Sequence, residues 1–115
     1  MLFYQYSDTV CMTDVTLTTE AGVCGFKTVV IATMDDEMNI TYKIKSECPE
    51  IRAMAKDLGP IPVFDVIASP FTENAVYKAC GCLPHVACPV PCSIIKAGEA
   101  AGQLALKKDV QIRFD

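Results

Sequence analysis

The residues with the clearest capacity for chemistry are concentrated between positions 80 and 92. This stretch holds Cys80, Cys82, Cys88 and Cys92 together with His85, the single histidine of the chain. Thiolate sulfur and imidazole nitrogen bind zinc, and thiolates also hold iron–sulfur clusters. A thiolate is in addition the nucleophile of thiol redox and sulfur-transfer chemistry. The pattern therefore favours either a metal centre or a reactive thiol.

The cysteine count indicates whether these cysteines are reduced thiols or disulfides. The chain of 115 residues has seven cysteines, an odd number, and its start lacks the basic and long apolar regions of a secretory signal. We therefore expect a cytoplasmic, reducing location. Free or metal-bound thiols are more common there than a disulfide framework.

Alternation of apolar and polar residues, together with helix start and stop residues, predicts an α+β fold. The predicted elements in chain order are strands at 14–20, 23–33 and 39–47, a helix from Pro49 that stops at Gly59, a possible short strand at 63–68, helices at 72–79 and 89–105, and a closing strand through Val110, Ile112 and Phe114. We expect a small, mostly antiparallel sheet with about three helices packed on one face. Residues 1–13 are expected to form a loose N-terminal arm, and residues 14–115 a single domain.

The predicted strands place two cysteines opposite each other. If the turn between the second and third strands is centred on Asp36, Cys24 faces Cys48. This register puts the apolar side chains of both strands on one face, in agreement with the hydrophobic pattern. Directly opposed residues have Cβ atoms about 4.5–5.5 Å apart, which lets two thiols share a metal ion or form a disulfide.

The starts of two predicted helices also carry cysteines. Cys48 and Cys88 each precede a proline at a helix start, and Cys92 follows Cys88 by one helical turn. The positive end of a helix dipole favours thiolate over thiol. We therefore predict a metal site whose ligands are Cys24, Cys48, Cys88 and Cys92, with His85 or Cys82 as substitutes. Zinc and an iron–sulfur cluster both suit such ligands, although the standard pair of Cys-x2-Cys zinc knuckles is absent.

Three motifs resemble a family of uncharacterised proteins from anaerobic bacteria and archaea. They are Val-Cys-Gly-Phe-Lys-Thr at 23–28, Ser-Glu-Cys-Pro-Glu-Ile at 46–51, and His-x-x-Cys-Pro-Val-Pro-Cys at 85–92 with the helix that follows. The resemblance extends from about Met12 to the C-terminus. It implies a domain of unknown function and no particular activity. An anaerobic origin is compatible with thiolate-bound iron.

Two other functions fit the same cysteines. Cys88 or Cys92 could act as the nucleophile of a thiol oxidoreductase or a persulfide carrier, with a neighbouring cysteine resolving the intermediate. Free cysteine is also a common small core residue. The protein could therefore be a structural or interaction protein without chemistry, and the sequence does not decide whether it is an enzyme.

Charge and composition argue against nucleic acid and membrane as partners and favour a second copy of the chain. The net charge of −4 and the scattered lysines and arginines do not provide the basic surface that nucleic acid requires. No apolar run approaches the length of a membrane-spanning helix. A hydrophobic fraction of 51% is high for so small a domain, so we expect a homo-oligomer that buries apolar surface between subunits.

Overall fold

The computed structural model describes residues 14–115, and the predicted N-terminal arm at residues 1–13 lies outside them. Within the described residues the chain forms one four-stranded antiparallel sheet, in the order β1-β2-β3-β4, and four α-helices. The elements are β1 (Asp14–Glu20), β2 (Lys27–Met34), β3 (Asn39–Ser46), α1 (Pro49–Asp57), β4 (Ile61–Pro62), α2 (Val63–Val66), α3 (Ala75–Ala79) and α4 (Val90–Ala101), with 3-10 turns at Phe71–Glu73 and Cys80–Cys82. The predicted α+β class is confirmed.

One face of the sheet carries the hydrophobic core. On β2 every second side chain is buried, including Val30 and Ala32. Their partners on β1 are Leu17 and Val15, which alternate in the same way. Helix α4 packs across β1 and β2, and its Ile94 is fully buried. Alternation with period two on the strands therefore creates one apolar surface, and the long helix covers it.

The turn between β2 and β3 is centred one residue later than predicted. Met38 adopts a φ of 65°, and Asp35 Oδ1 accepts a hydrogen bond from the Asn39 N–H at 2.9 Å. Met34 consequently pairs with Ile40 instead of residue 38. A shift of two positions keeps each side chain on its face. The predicted face is therefore correct, and each predicted cross-strand partner is wrong by two positions.

Helix α4 approaches the sheet closely at a glycine. The Tyr42 hydroxyl on β3 donates a hydrogen bond to the Ile94 carbonyl oxygen at 2.9 Å. The same hydroxyl occupies the space that a side chain at Gly98 would need. Burial, and then the nearby Glu99 carboxylate, raise the pKa of Tyr42 well above its ordinary value. Tyr42 therefore stays a protonated donor that ties β3 to the middle of α4.

Replacing Gly98 by alanine should lower the free energy of unfolding by about 1–3 kcal/mol, the usual cost of overpacking. The added Cβ would collide with the Tyr42 hydroxyl and lie 2.8 Å from Val66 Cγ1. Urea unfolding measures the change, with Gly59→Ala as the matched control because nothing lies within 4 Å of a Cβ at Gly59. Helix propensity alone favours alanine at Gly98, so equal or greater stability of Gly98→Ala would contradict the close approach.

Two predicted elements in the middle of the chain differ from the structure. The possible strand at 63–68 is wrong, because Ile61–Pro62 forms β4 and the next residues form α2. Val63 and Val66 are both buried three residues apart, which is a helical spacing. The predicted helix at 72–79 is divided at Asn74, whose side chain caps the start of α3.

The end of the chain differs more. Helix α4 ends at Ala101 instead of 105, and the strand predicted through Val110, Ile112 and Phe114 is not formed. Gly102 follows the helix, and a Cβ there would collide with Val63. The alternation that predicted a strand is real, but its apolar residues are exposed instead of paired.

Candidate functional site

Hydroxyl side chains hold two helix starts at one end of the sheet. Thr28 Oγ1 and Ser46 Oγ are hydrogen-bonded at 2.7 Å across β2 and β3, and Ser46 Oγ accepts a bond from the Cys48 N–H at 3.0 Å. On β1, Thr19 is hydrogen-bonded to Ser93 in the first turn of α4. The starts of α1 and α4 therefore lie at the same end, which we call the cysteine end and define by Thr19, Thr28 and Ser46.

Cys48 and Cys88 stand at these two helix starts. Cys48 is the N-cap of α1, directly before Pro49, and its side chain makes no capping hydrogen bond. Helix α4 has Pro89 as its N-cap, so Cys88 lies one residue before the cap. Both thiols are half-buried and pack against the core. The starts of two helices, where the backbone dipole carries partial positive charge, thus lie beside two half-buried cysteines.

Cys24 lies at the same end of the sheet but does not face Cys48. The strand predicted from residue 23 begins only at Lys27, because Gly22 and Gly25, with φ of 93° and 72°, turn the chain into a hairpin loop. Cys24 is exposed in this loop. Since β2 starts beside the end of β3, the loop belongs to the cysteine end. The predicted direct pairing of Cys24 with Cys48 is wrong.

The segment between α3 and α4 holds two further thiols besides Cys88. Cys80 is buried and Cys82 is exposed, and Cys82 Sγ donates a weak hydrogen bond to the Ala79 carbonyl oxygen at 3.7 Å. Burial, followed by the negative charges of Cys82 and Cys88, raises the pKa of Cys80 to about 12. His85 is exposed, and its carbonyl oxygen accepts a bond from the Cys88 N–H at 3.2 Å. Cys80 is therefore a neutral thiol at physiological pH.

Cys80 had no predicted role. The sequence signal that could have singled it out is its position two residues before Cys82, in the Cys-Gly-Cys segment. The structure places Cys24, Cys48 and Cys88 at the cysteine end, and Cys82 and His85 in the loop that leads to Cys88. Cys92 lies in the first turn of α4, next to Ser93 at the same end. Within residues 14–115 all cysteines are free, and no three cysteine, histidine, aspartate or glutamate side chains are arranged to hold a metal ion.

Comparison with protein-family models matches residues 15–114 to a family of unknown function, DUF6951. This range includes nearly all the described residues. The chain belongs to the DUF6951 family. The resemblance to an uncharacterised family is thereby confirmed. No curated protein and no solved structure matches the chain.

The DUF6951 chain also contains a cleft that the sequence did not predict. An open cavity of about 500 Å³ lies between α4 and the segment from residue 67 to residue 77. Its helix wall includes Cys92, which is exposed, and Lys96 one turn further on. Its opposite wall includes Phe71 and Tyr77, whose rings meet edge to face at 5.5 Å between centroids. Cys92 therefore lines the cleft, whereas Cys88 does not.

Over its described part, the DUF6951 chain has no helix with the length and apolar character needed to cross a membrane. The longest helix, α4, has 12 residues, whereas a spanning helix needs about 20 apolar residues. This finding agrees with the expectation from the hydropathy of the sequence.

Proposed function

We propose that this DUF6951 protein binds a zinc ion or an iron–sulfur cluster through thiolates at the cysteine end. The proposed ligands are Cys24, Cys48 and Cys88, with Cys82 or His85 as the fourth. Cys92 belongs to the ligand set predicted from the sequence, and we leave it out because it lines the cleft. The observation that supports the proposal is that α1 and α4 both start at this end of the sheet, each beside a half-buried thiol.

The backbone at this end is suited to a negatively charged ligand group. A metal binds thiolate and not thiol, so each ligand must lose its proton. The free N–H groups at the starts of α1 and α4 stabilise negative charge nearby. Cys48 is well suited, because its side chain makes no capping hydrogen bond in α1.

Metal binding at this end requires two loops to close. No three ligand side chains within residues 14–115 already form a metal-binding group, and Cys24 and Cys82 are exposed. The hairpin loop turns at Gly22 and Gly25, and glycine permits the backbone changes that such closure needs. Coupling of metal binding to local folding is common in small thiolate sites. We therefore infer that the metal orders the hairpin loop over the helix starts.

Elemental analysis of protein purified without oxygen tests this function. We expect close to one equivalent of zinc per chain, or iron in the amount that one cluster requires. A broad visible absorption accompanies iron–sulfur ligation and is absent with zinc, so the spectrum decides between them. Protein that stays metal-free after purification without oxygen, and that binds neither zinc nor iron when reduced and reconstituted, would contradict the proposal.

A second candidate function, thiol chemistry at Cys92, is favoured by the cleft. Cys92 is exposed beside a cavity of about 500 Å³, a volume within the usual range of small-molecule sites. In a persulfide carrier, the Cys92 thiolate would attack the outer sulfur of a small persulfide donor. A new S–S bond would form on Cys92, and the donor would leave as a thiolate.

Alkylation rates separate this candidate from the metal site. In metal-free folded protein near neutral pH, thiol chemistry predicts that Cys92 reacts much faster than the other cysteines, and that Cys92→Ser removes the fast phase. Cys82→Ser is the matched control, because Cys82 is also exposed but lies outside the cleft. Uniformly slow labelling of all seven cysteines would remove this candidate. Slow labelling together with an absence of metal would leave a structural or interaction role.

A further inference from the structure

The C-terminal segment after α4 has the pattern of a strand but no partner within the described residues. Val110, Ile112 and Phe114 alternate with polar residues, and their side chains are 57%, 88% and 103% exposed. Residues 106–115 contain no regular element. The family match extends to residue 114, so this segment is part of the domain. An exposed alternating apolar segment of this kind is suited to pairing with a sheet edge.

The first strand offers such an edge. Within residues 14–115, β1 pairs only with β2, so its outer backbone N–H and C=O groups have no strand partner there. Val15 and Leu17 lie on the face that α4 covers. The opposite face of β1 has a carboxylate at each end, Asp14 and Glu20. An added strand would therefore need apolar residues on one face and basic residues at both ends of the other.

We propose that residues 107–113 of one copy of this chain pair antiparallel with β1 of a second copy. When Ile112 is placed opposite Val15, Val110 lies opposite Leu17 on the helix-covered face. On the other face, the same register places Arg113 opposite Asp14 and Lys107 opposite Glu20. Apolar and oppositely charged cross-strand pairs both stabilise a sheet. In a two-fold dimer each copy donates one C-terminal segment and receives one.

Other registers lose this complementarity. A shift of two residues in one direction places Asp115 opposite Asp14 and Asp109 opposite Glu20, which opposes like charges. A shift of two in the other direction places Lys108 opposite Leu17 on the apolar face. A shift of one residue turns the apolar side chains to the wrong face.

Parallel pairing is also less complementary. The parallel register that matches the charges, with Lys107 opposite Asp14, places Lys108 opposite Val15. The neighbouring parallel register places Asp109 opposite Asp14 and Asp115 opposite Glu20. The antiparallel register thus pairs Val15 and Leu17 with apolar residues and both carboxylates with basic residues, and it places Lys108 opposite the polar Thr19 at the end of the face. The alternatives do not combine these pairings.

Charge reversal in two separate variants tests the exchange. Arg113→Glu alone and Asp14→Lys alone should each weaken the dimer by roughly tenfold or more, because like charges then oppose each other at both symmetry-related sites. A mixture of the two variants should form a heterodimer as strong as the wild-type dimer, since each segment then meets a β1 of opposite charge. Sedimentation velocity and native mass spectrometry of the full chain measure both results. Lys43→Glu on the exposed face of β3 is the control and should leave the dimer unchanged.

Three outcomes would overturn the proposal. A monomeric wild-type chain at the concentrations used would remove it directly. A dimer that Arg113→Glu leaves intact would place the interface elsewhere. Recovery in a double variant that carries Arg113→Glu and Asp14→Lys in one chain, without recovery in the mixture of single variants, would mean that the segment pairs with β1 of its own chain. Arg113 is exposed, so loss of the fold does not confound its replacement.

Discussion

Replacing Cys48 by serine should abolish stoichiometric metal binding while leaving the metal-free fold at least as stable. Cys48 is the N-cap of α1 and makes no side-chain capping bond. Serine is a preferred N-cap residue, whose hydroxyl accepts a backbone N–H bond. The unfolding free energy of the metal-free variant should therefore rise by a few tenths of a kcal/mol or more. Metal content by elemental analysis and urea unfolding of metal-free protein measure the two effects.

Two further variants make this result specific. Cys88→Ser should also lose the metal, because Cys88 stands at the other helix start. Cys92→Ser should retain it, because Cys92 lines the cleft. Equal metal content in Cys48→Ser and wild type would contradict the ligand assignment, and loss of metal only in Cys92→Ser would return the site to the first turn of α4.

Replacing Asn74 by alanine should have the largest effect on stability, about 2–4 kcal/mol of unfolding free energy. The side chain is 3% exposed and makes four hydrogen bonds. Its amide donates to the Val66 and Ala68 carbonyl oxygens at 2.9 and 2.8 Å, and its Oδ1 accepts from the N–H groups of Val76 and Tyr77. Loss of an N-cap costs about 0.5–2 kcal/mol, and each orphaned buried group adds to this cost.

Asn74→Ser separates the two halves of this interaction. Serine keeps an N-cap oxygen for α3 but cannot donate to the two carbonyl groups, so it should recover about 1 kcal/mol of the loss. Thr72→Ala is a matched control on the exposed preceding turn and should change stability by less than about 0.5 kcal/mol. Similar unfolding free energies for wild type and Asn74→Ala would contradict the buried network.

The strongly patterned parts of the fold could be predicted from sequence. The bounds predicted for β1 agree with the structure, and the long alternating strand at 39–46 and the helix from Pro49 were expected within one or two residues. Each has a regular hydrophobic period and a recognisable start or stop residue. The face of β2 and β3 was also predictable, because it depends only on odd or even position.

Details that depend on individual turns could not be predicted in the same way. The left-handed conformation of Met38 moves the β2–β3 pairing by two positions, and alternation alone is compatible with both registers. The turns at Gly22 and Gly25 place Cys24 in a loop before β2. The β-branched residues that follow predicted a strand here but did not show where it begins. At 110–114 the alternation was recognised correctly, but alternation does not identify the strand that a segment pairs with.

The candidate site was predictable where it depends on local motifs, and it was not where it depends on loops and helix direction. Cysteine before proline identified both helix starts, and the structure places those starts at the same end of the sheet, where Thr19, Thr28 and Ser46 lie. The positions of Cys24 and Cys92 depend on a hairpin loop and on the direction of a helix face, which no local pattern determines. The cleft could not be expected, because it forms between α4 and a segment predicted as a strand and a helix.

X-ray absorption spectroscopy at the zinc or iron edge, on protein purified without oxygen, tests thiolate ligation at the cysteine end most directly. Because the proposal requires at least three thiolates, we predict a first shell dominated by sulfur, at about 2.3 Å if the metal is zinc. Cys48→Ser should remove this shell, and Cys92→Ser should not. A first shell of only nitrogen and oxygen, or a sulfur shell unchanged in Cys48→Ser, would contradict the proposed site.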